Sequence, residues 1–478
     1  MSCIRLAAKT LLVFLAANSL RAATNDFRCQ MITLPVNASA SLFADFDNDG
    51  LSDLFAVDPV NNQLLIYRQR PSGFTNEPHQ VIGLPQQTAW ISLCDVDAHP
   101  RLELLMSTAA GLLYYRQNGG VFETEQRTLV KAGQVFTNDG SPALISLATN
   151  AAIPVISATS AVLYQRTNGF EWIPGQPNAF EVKRTSWHAD RSEWTIGPNS
   201  ARSMYLQQSL RSKPDDAENW KPENDTIRKL TDEMKNAAVR DMLGTNHVDV
   251  NGDGRKDLIL WQTFTGIDPR TDVHIFLRGA DGKLGDQPTQ ALHCRGFPIP
   301  VGSTEQGSPI GDLKGDGTYQ LVLVELKTAF TSVDSLVEMA LSGGLECALT
   351  IRTFNNGAFS GSPNATIPIR TIMPITTLVP VEEFNHWPFF ICGDFNGDGR
   401  PDLLVRQSTT RWSILFSTAD DRWFMPQPAM TFETPIQGYF DIKDLNGDGR
   451  SDIVLRAQND PRIFICLSPS QQAKGNHP

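Results

Sequence analysis

A nine-residue pattern rich in aspartate recurs along the chain and limits its possible folds more than any other feature. Complete copies start at Asp45, Asp249, Asp394 and Asp444. In each copy, positions 1, 3 and 5 are Asp or Asn, position 6 is Gly and position 9 is Asp, and a β-prone apolar run follows. We name each loop by the residue at its position 1, so that loop 45 comprises residues 45–53. The recurrence indicates a repeat protein in which each copy belongs to one structural unit.

Three weaker copies depart from the pattern. Loop 95 has His99 at position 5 and Glu103 at position 9, whereas loop 312 has Lys314 at position 3 and Gln320 at position 9. The third, eroded copy around Val135 lacks the first carboxylate. We expect these three turns to form without a metal ion, with the Lys314 ammonium in the cation's place in loop 312.

The spacing of the copies points to the blades of a propeller. Loops 45 and 95 start 50 residues apart, as do loops 394 and 444, which matches the period of roughly 40–50 residues of a four-stranded blade. Strand-like runs separated by Gly turns follow each loop, for example 63–68 and 80–84. The sequence therefore predicts an all-β fold, a β-propeller of seven four-stranded blades. The alternative is eight blades, because the gaps 135–249 and 312–394 hold insertions or a hidden blade.

The two ends of the chain suggest how the ring closes. The last repeat runs through 462–466 and then stops one strand short, while 27–35 resembles the fourth-strand segment 79–85 of the first repeat. We expect the N-terminal strand to complete the last blade, because the blade's unpaired edge would otherwise invite aggregation. Cys29 and Cys466 would then lie on neighbouring strands, where a disulfide can form. For the other cysteines, buried thiols and disulfides both remain open.

The segment near 180–245 differs from the repeats. It is polar and contains Trp187, Trp194 and Trp220, and 225–242 has a helix-compatible composition. We interpret it as a partly helical insertion, with a degenerate blade as the alternative.

Residues 1–23 have the features of an export signal. A basic start is followed by the apolar run 11–20 and then by the small residues Ala22 and Ala23. No later segment reaches about 18 apolar residues, so we expect no membrane span. The net charge of −11 argues against nucleic-acid partners. We therefore predict one propeller domain over 24–478 in a secreted protein, extracellular or periplasmic.

The loops carry the donor types that Ca²⁺ prefers. Side chains at positions 1, 3 and 5 can converge when the chain curls, and hard oxygen donors in that number suit Ca²⁺. An EF-hand would need a bidentate Glu at position 12. Position 12 is instead apolar in the four complete loops: Ala56, Leu260, Val405 and Leu455. The site therefore belongs to a β-hairpin.

These loops resemble the FG-GAP/VCBS repeats, which form the propeller of integrin α-chains and of many secreted bacterial proteins. The resemblance implies a calcium-binding propeller with about four Ca²⁺ sites. The ligands that it implies are Asp45, Asp47, Asp49 and Asp53; Asp249, Asn251, Asp253 and Asp257; Asp394, Asn396, Asp398 and Asp402; and Asp444, Asn446, Asp448 and Asp452.

No catalytic motif accompanies the loops. The sequence has no HExxH, GxSxG, P-loop or dinucleotide-binding glycine pattern. We expect a binding or adhesion module for an extracellular protein or glycan ligand. The alternative is a carbohydrate-active enzyme of the polysaccharide lyase type, because some lyases resemble this propeller.

Overall fold

The computed structural model describes a defined part of the chain. That part comprises residues 27–35, 41–88, 90–97, 101–108, 110–131, 143–146, 152–156, 161–166, 172–174, 180–188, 191–198, 204–208, 225, 227–230, 242–264, 269–302, 308–326, 345–371, 388–436, 438–456 and 460–469. The predicted export signal and the eroded loop near Val135 lie outside it.

The strands on either side of each Asp loop pair as antiparallel hairpins, and each hairpin starts a sheet. The first sheet, 41–83, consists of Ser41–Ala44, Asp53–Asp58, Gln63–Tyr67 and Gln80–Gly83, with a small hairpin of Gln69–Arg70 and Gly73–Phe74. The second sheet, 90–130, begins with Trp90–Cys94, Glu103–Thr108, Gly111–Tyr115 and Arg127–Val130, with a hairpin of Gln117–Asn118 and Val121–Phe122. The second and third strands are buried except for Gln63 at the start of one third strand, as expected for apolar runs enclosed between neighbouring sheets.

Three further sheets repeat this order. The 242–295 sheet consists of Met242–Val248, Asp257–Phe264, Arg270–Phe276 and Gln290–Arg295. The 297–371 sheet consists of Phe297–Pro298, Ile310–Gly311, Gln320–Leu326, Leu345–Asn355, Ala358–Phe359 and Ala365–Thr371. The 389–433 sheet consists of Phe389–Ile391, Leu403–Arg406, Arg411–Leu415 and Met430–Glu433. Successive four-stranded antiparallel units of this kind are the blades of a β-propeller, as predicted.

The closing sheet joins the two ends of the chain. It consists of Tyr439–Lys443, Asp452–Arg456, Arg462–Leu467 and the N-terminal strand Arg28–Thr33. Arg28–Thr33 pairs antiparallel with Arg462–Leu467, and Cys29 lies opposite Cys466. A disulfide joins these two cysteines. The predicted strand closure and the predicted disulfide are both confirmed.

The middle of the chain departs from the regular order. Its strands are Ala143–Ser146, Ala152–Ile156, Ala161–Arg166, Trp172–Pro174, Phe180–His188, Arg191–Pro198 and Met204–Gln208. Ala143–Ser146 runs parallel to Trp90–Cys94 and pairs on its other side with Met204–Gln208, so that Ala143–Ser146 and three inserted strands extend the 90–130 sheet to eight strands. The expected insertion is therefore largely β over 180–208, because Phe180–His188, Arg191–Pro198 and Met204–Gln208 pair as antiparallel neighbours.

Among the described residues, helix occurs only in a short segment of the predicted helical region. Residues 225 and 227–230 are helical, and Met242 belongs to a strand. Ile227 is fully buried against Leu258 and Leu260, so this segment packs on the 242–295 sheet. No helical segment in the described residues is long and apolar enough to cross a membrane.

In the described part of the chain, four sheets have four strands, the 297–371 sheet has six, the extended 90–130 sheet has eight, and one sheet (Ala152–Ile156, Ala161–Arg166 and Trp172–Pro174) has three. The count of seven blades stays a prediction. Cys94, Cys294, Cys347 and Cys392 are buried and form no disulfide, so these four cysteines pack as largely apolar side chains.

A glutamine clamp joins several neighbouring sheets. The Gln80 side chain, on the outer strand of the 41–83 sheet, accepts from the Phe122 amide at 2.9 Å and donates to the Phe122 carbonyl at 2.8 Å. Gln290 clamps Phe359 in the same way, with distances of 2.7 and 2.8 Å. Gln30, on the closing strand, clamps Phe74. Each amide thus satisfies both backbone groups of one residue in the next sheet, which fixes the two sheets against each other.

Candidate metal sites

Loops 45, 249, 312, 394 and 444 curl through left-handed backbone at positions 4 and 6. Position 6 is Gly in each of them, with φ near +83° at Gly50 and +82° at Gly399. Position 4 is Gly in four loops and Asn48, with φ of 64°, in loop 45. Glycine adopts this backbone region without strain, and Asn tolerates it. The sequence correctly assigned this role to position 6 but did not identify position 4.

The carboxylate at position 1 holds each turn together. Asp394 accepts hydrogen bonds from the amides of Gly397, Asp398 and Gly399 at 2.6–3.0 Å. The equivalent bonds from position 6 recur at Asp45, Asp249, Asp312 and Asp444. The first carboxylate is therefore fixed by the backbone of its own loop.

The side chain at position 2 anchors each loop in the core. It is apolar in all six loops and at most 3% exposed: Phe46, Val96, Val250, Leu313, Phe395 and Leu445. The apolar residue between two polar ones was a readable signal, since a purely solvated turn has no need of it. It fixes the loop to its sheet, so that positions 1, 3 and 5 face away from the core.

The carboxylate at position 9 is buried and accepts hydrogen bonds from backbone amides in its own loop, after the third strand, or in both places. Asp402 accepts from the Phe395 amide at 2.9 Å and from the Ser417 amide at 2.8 Å. Asp257 and Asp452 make the same pair of bonds. Asp53 accepts from the Gln69 amide at 2.7 Å. Position 9 therefore ties the start of the loop to the residue that follows the third strand.

Burial shifts the ionisation of these carboxyls. It raises the pKa of Asp53 and of Asp402 to about 7 and that of Asp452 to about 6, although the backbone hydrogen bonds oppose the shift. Burial also raises the pKa of Asp257. The protonated form is favoured because a charge loses its hydration in the core.

Loop 45 brings three carboxylates together. One oxygen each from Asp45, Asp47 and Asp49 lie within 4.8 Å of one another. Neither oxygen of Asp47 accepts a hydrogen bond of good geometry, and the side chain is only 3% exposed. Burial and the neighbouring Asp49 raise the pKa of Asp47, while the Arg68 guanidinium opposes them. Asp53 is not a member of this group.

Loops 249, 394 and 444 carry Asn at position 3. In loop 249, Asp249 and Asn251 both accept a hydrogen bond from the Asp253 amide at 3.0 Å, so their oxygens converge. Loop 394 repeats this geometry at 3.0 and 2.9 Å. In loop 444, Asn446 accepts from the Asp448 amide at 3.1 Å. In each loop the arginine at position 7 contacts the carboxylate at position 5.

The incomplete loops 312 and 95 keep the hydrogen bond between the position 9 side chain and the position 2 amide. In loop 312, Gln320 accepts from the Leu313 amide at 2.7 Å, and in loop 95, Glu103 accepts from the Val96 amide at 2.9 Å. The Lys314 ammonium does not fill its own loop as expected. It lies over the Trp423 ring of the neighbouring sheet, 4.4 Å from the ring centroid, and 3.7 Å from an oxygen of Asp421.

Four loops lie side by side. A methyl group on Gly447 would lie 2.7 Å from the Gly50 carbonyl oxygen, and one on Gly315 would lie 3.3 Å from that of Gly399. Gly397 faces Arg450 in the same way. The four loops therefore contact one another in the order 312, 394, 444 and 45. This series includes loop 444, which belongs to the closing sheet. Their carboxylate and amide oxygens are the donors that suit Ca²⁺.

The comparisons with known proteins agree with the loop pattern. Residues 394–455, which contain loops 394 and 444, match the FG-GAP-like repeat family. The chain therefore carries an FG-GAP-like repeat, as its spacing predicted. The chain matches no curated protein.

Solved structures provide two distant likenesses. The chain BBS1N, from a crystal structure of BBS1N in complex with ARL6DN soaked with lead, is 9% identical with a TM-score of 0.29, over 92% of this chain and 95% of that chain. An Agrocybe aegerita lectin, described as recognising non-reducing terminal N-acetylglucosamine, is 14% identical with a TM-score of 0.20, over 88% of this chain and 75% of that chain. Both TM-scores are below 0.5, so neither likeness carries a conclusion about this protein.

Proposed function

We propose that the protein is a secreted, calcium-binding β-propeller that acts as a binding or adhesion module for an extracellular protein or glycan. The observation that carries the calcium part is the convergence of Asp45, Asp47 and Asp49 within 4.8 Å. The same turn recurs in loops 249, 394 and 444, where positions 1, 3 and 5 supply two carboxylates and an amide. About four Ca²⁺ ions would bind, one in each complete loop.

The role of position 9 in these sites is part of the proposal. Asp53, Asp257, Asp402 and Asp452 stand directly behind the loops, and each already accepts one or more backbone hydrogen bonds. One carboxylate oxygen can accept a hydrogen bond and also bind a metal ion, because it has more than one lone pair. We include these four residues as ligands or as supports for the ligands.

Calcium would brace one face of the ring. Loops 312, 394, 444 and 45 touch one another, so ions bound in three of them would reduce the repulsion between adjacent acidic turns. A rigid face with few moving loops costs less entropy when a partner binds. This links the calcium sites to the function as a binding module.

The Cys29–Cys466 disulfide supports secretion, because disulfides form and persist in oxidising compartments. Expression with residues 1–23 intact, followed by N-terminal sequencing of the exported protein, tests this part. We expect the mature chain to start near residue 24. A chain retained inside the cell with its N-terminus intact would contradict secretion.

Titration calorimetry of chelator-treated protein tests calcium binding. We expect saturable binding of Ca²⁺ and a rise in melting temperature. The control changes position 5 to Asn in the four complete loops (Asp49→Asn, Asp253→Asn, Asp398→Asn and Asp448→Asn), which keeps an acceptor for the backbone but removes the charge. Wild-type protein that takes up no calcium at millimolar concentration would overturn the assignment.

The binding function needs a separate measurement. Wild type and the four-site variant are applied to arrays of immobilised glycans and extracellular proteins, with calcium and with chelator. We expect binding to one class that requires calcium and is lost in the variant. Equal ligand binding by wild type and variant, with calcium and with chelator, would mean that the ligand site lies outside the loops.

A further inference from the structure

The complete loops fall into two types by the residue at position 3. Loop 45 carries Asp47 there, as loop 95 carries Asp97, whereas loops 249, 394 and 444 carry Asn. Loop 45 therefore holds one negative charge more than the three Asn loops among positions 1, 3 and 5. A buried carboxylate needs a compensating charge.

A second position changes together with position 3. Asp53 accepts from the amide of Gln69, and the residue before it is Arg68. Arg116 follows the third strand of the 90–130 sheet in the same way. In the Asn loops, the residue before the equivalent amide is apolar: Leu277, Phe416 and Leu467. Asp at position 3 thus occurs together with an Arg directly after the third strand. Asn at position 3 occurs together with an apolar residue at the equivalent place.

The contacts explain this pairing. Arg68 Nη2 contacts Asp47 Oδ2 and lies 3.3 Å from Asp49 Oδ2. Arg116 Nε donates to Asp97 Oδ2 at 2.8 Å. The arginines at position 7 of the Asn loops are different, because they come from within the loop and pair with position 5. Among these arginines, Arg68 contacts the carboxylates of both position 3 and position 5.

The neighbouring sheet covers this ion pair. A methyl group on Gly120 would lie 2.9 Å from Arg68 Nη1 and 3.1 Å from Asp47 Oδ2. The Arg68 side chain is 19% exposed and that of Asp47 only 3%. The guanidinium therefore already occupies the position beside Asp47 Oδ2 that a bound cation would take.

We propose that Arg68 is the built-in counter-ion of loop 45, and that Ca²⁺ binds there only by displacing its guanidinium from Asp47 and Asp49. This inference rests on the proposed calcium-binding function and divides its sites into two kinds. Loops 249, 394 and 444 take calcium directly, whereas loop 45 is the weaker site. Because Arg68 also lies against Gly120, calcium in loop 45 changes the seam between the 41–83 and 90–130 sheets.

The test removes the competing cation. Arg68→Leu places in this position the residue that loop 249 has at Leu277. The double variant Asp47→Asn/Arg68→Leu gives loop 45 the composition of an Asn loop, which guards against misfolding caused by an uncompensated carboxylate. Native mass spectrometry and titration calorimetry with CaCl₂ count the bound ions and measure the affinity of the weakest site.

We expect the weakest site of Arg68→Leu to tighten by roughly tenfold or more, a factor that corresponds to about 1.4 kcal/mol. At calcium concentrations that just fill the Asn loops of the wild type, both variants should bind one further ion. In chelator, Arg68→Leu should melt below the wild type and recover when calcium is added.

Arg116→Leu is the matched control. It removes the equivalent ion pair one sheet further on, in a loop whose position 5 is His99, so it should gain no calcium. A wild type that binds calcium in the Asn loops, with no gain in either Arg68 variant, would overturn this inference and leave the proposed function standing. An equal gain in Arg116→Leu would also overturn it. Absence of calcium binding in every form would instead overturn the proposed function.

Discussion

Loops 394 and 312 lie next to each other in the ring and carry different side chains at positions 3 and 9. Loop 394 has Asn396 and Asp402, whereas loop 312 has Lys314 and Gln320. The two turns nevertheless share the same backbone bonds. Position 1 accepts from position 6 at 2.6 Å in loop 394 and 2.7 Å in loop 312, and position 9 accepts from position 2 at 2.9 and 2.7 Å.

This comparison separates the turn from the metal site. Positions 1, 2, 6 and 9 build the turn in both loops, through hydrogen bonds, core packing and left-handed backbone. Position 3 changes from Asn to Lys and position 9 from Asp to Gln without changing these bonds. A loop can therefore lose its proposed metal ligands during divergence and still hold its blade.

The largest expected effect comes from removing a position 9 carboxylate. Asp402→Ala leaves the buried amides of Phe395 and Ser417 without acceptors, which we expect to cost about 2–5 kcal/mol of unfolding free energy. Chemical denaturation should show this loss in chelator as well as in millimolar calcium. Gln320→Ala, which frees the Leu313 amide in loop 312, should cost less. A loss confined to calcium-containing buffer would mean that Asp402 acts as a ligand and not as part of the turn.

The next effect should depend on calcium alone. Asp398→Asn in loop 394 should remove the share of one site, about 2.7 kcal/mol at a calcium concentration 100-fold above the dissociation constant. Asp316→Asn makes the same change in loop 312 and keeps the same type of bond, since each position 5 side chain accepts from the amide of position 7 and Asn retains an acceptor oxygen. The difference in melting temperature between calcium and chelator should shrink only in Asp398→Asn. Equal changes of this melting-temperature difference in both variants would contradict the proposal that loop 394 binds calcium and loop 312 does not.

A smaller effect should depend on pH. Burial raises the pKa of Glu103, at position 9 of loop 95, from 4.5 to about 7. The folded state thus binds this proton more tightly than the unfolded state, so this group's contribution to stability falls as pH rises from about 4.5 to about 7. Glu103→Gln keeps an acceptor for the Val96 amide, as Gln320 does in loop 312. The variant should match the wild type near pH 4.5 and exceed its unfolding free energy by about 1–3 kcal/mol at pH 8. A difference in unfolding free energy that stays constant from pH 4.5 to pH 8 would contradict the raised pKa of Glu103.

The sequence predicted most of the fold because its signals were local and repeated. Runs such as 63–68 and 80–84 were assigned as strands, and the structure has Gln63–Tyr67 and Gln80–Gly83. The pairing of the two chain ends followed from one missing strand. The inserted strands of 180–208 were not predicted, because this segment has neither the loop pattern nor its spacing.

The site was predicted less completely than the fold. The loop residues were readable because they are contiguous, but Arg68 lies 15 residues beyond Asp53 and reaches the loop only through the pairing of the third strand. The destination of Lys314, on Trp423 of the next sheet, depends in the same way on contacts between blades. Contacts of this kind leave no spacing pattern in a single sequence.

The smallest effect should come from the glutamine clamp, which joins sheets regardless of loop type. Gln80→Met removes both hydrogen bonds to the Phe122 backbone, at 2.8 and 2.9 Å. Water can replace part of this pairing because Gln80 is only half-buried, so we expect a loss of about 1 kcal/mol. Gln126→Met is the control, since the Gln126 amide contacts the Tyr115 hydroxyl and no backbone group of another sheet. The loss should be the same in calcium and in chelator, because the clamp lies outside the acidic loops. A larger loss of unfolding free energy in chelator than in calcium would show that the loops and the clamps stabilise the ring together. The turn and the metal site would then be independent within one blade, but metal binding would still affect the contacts between blades.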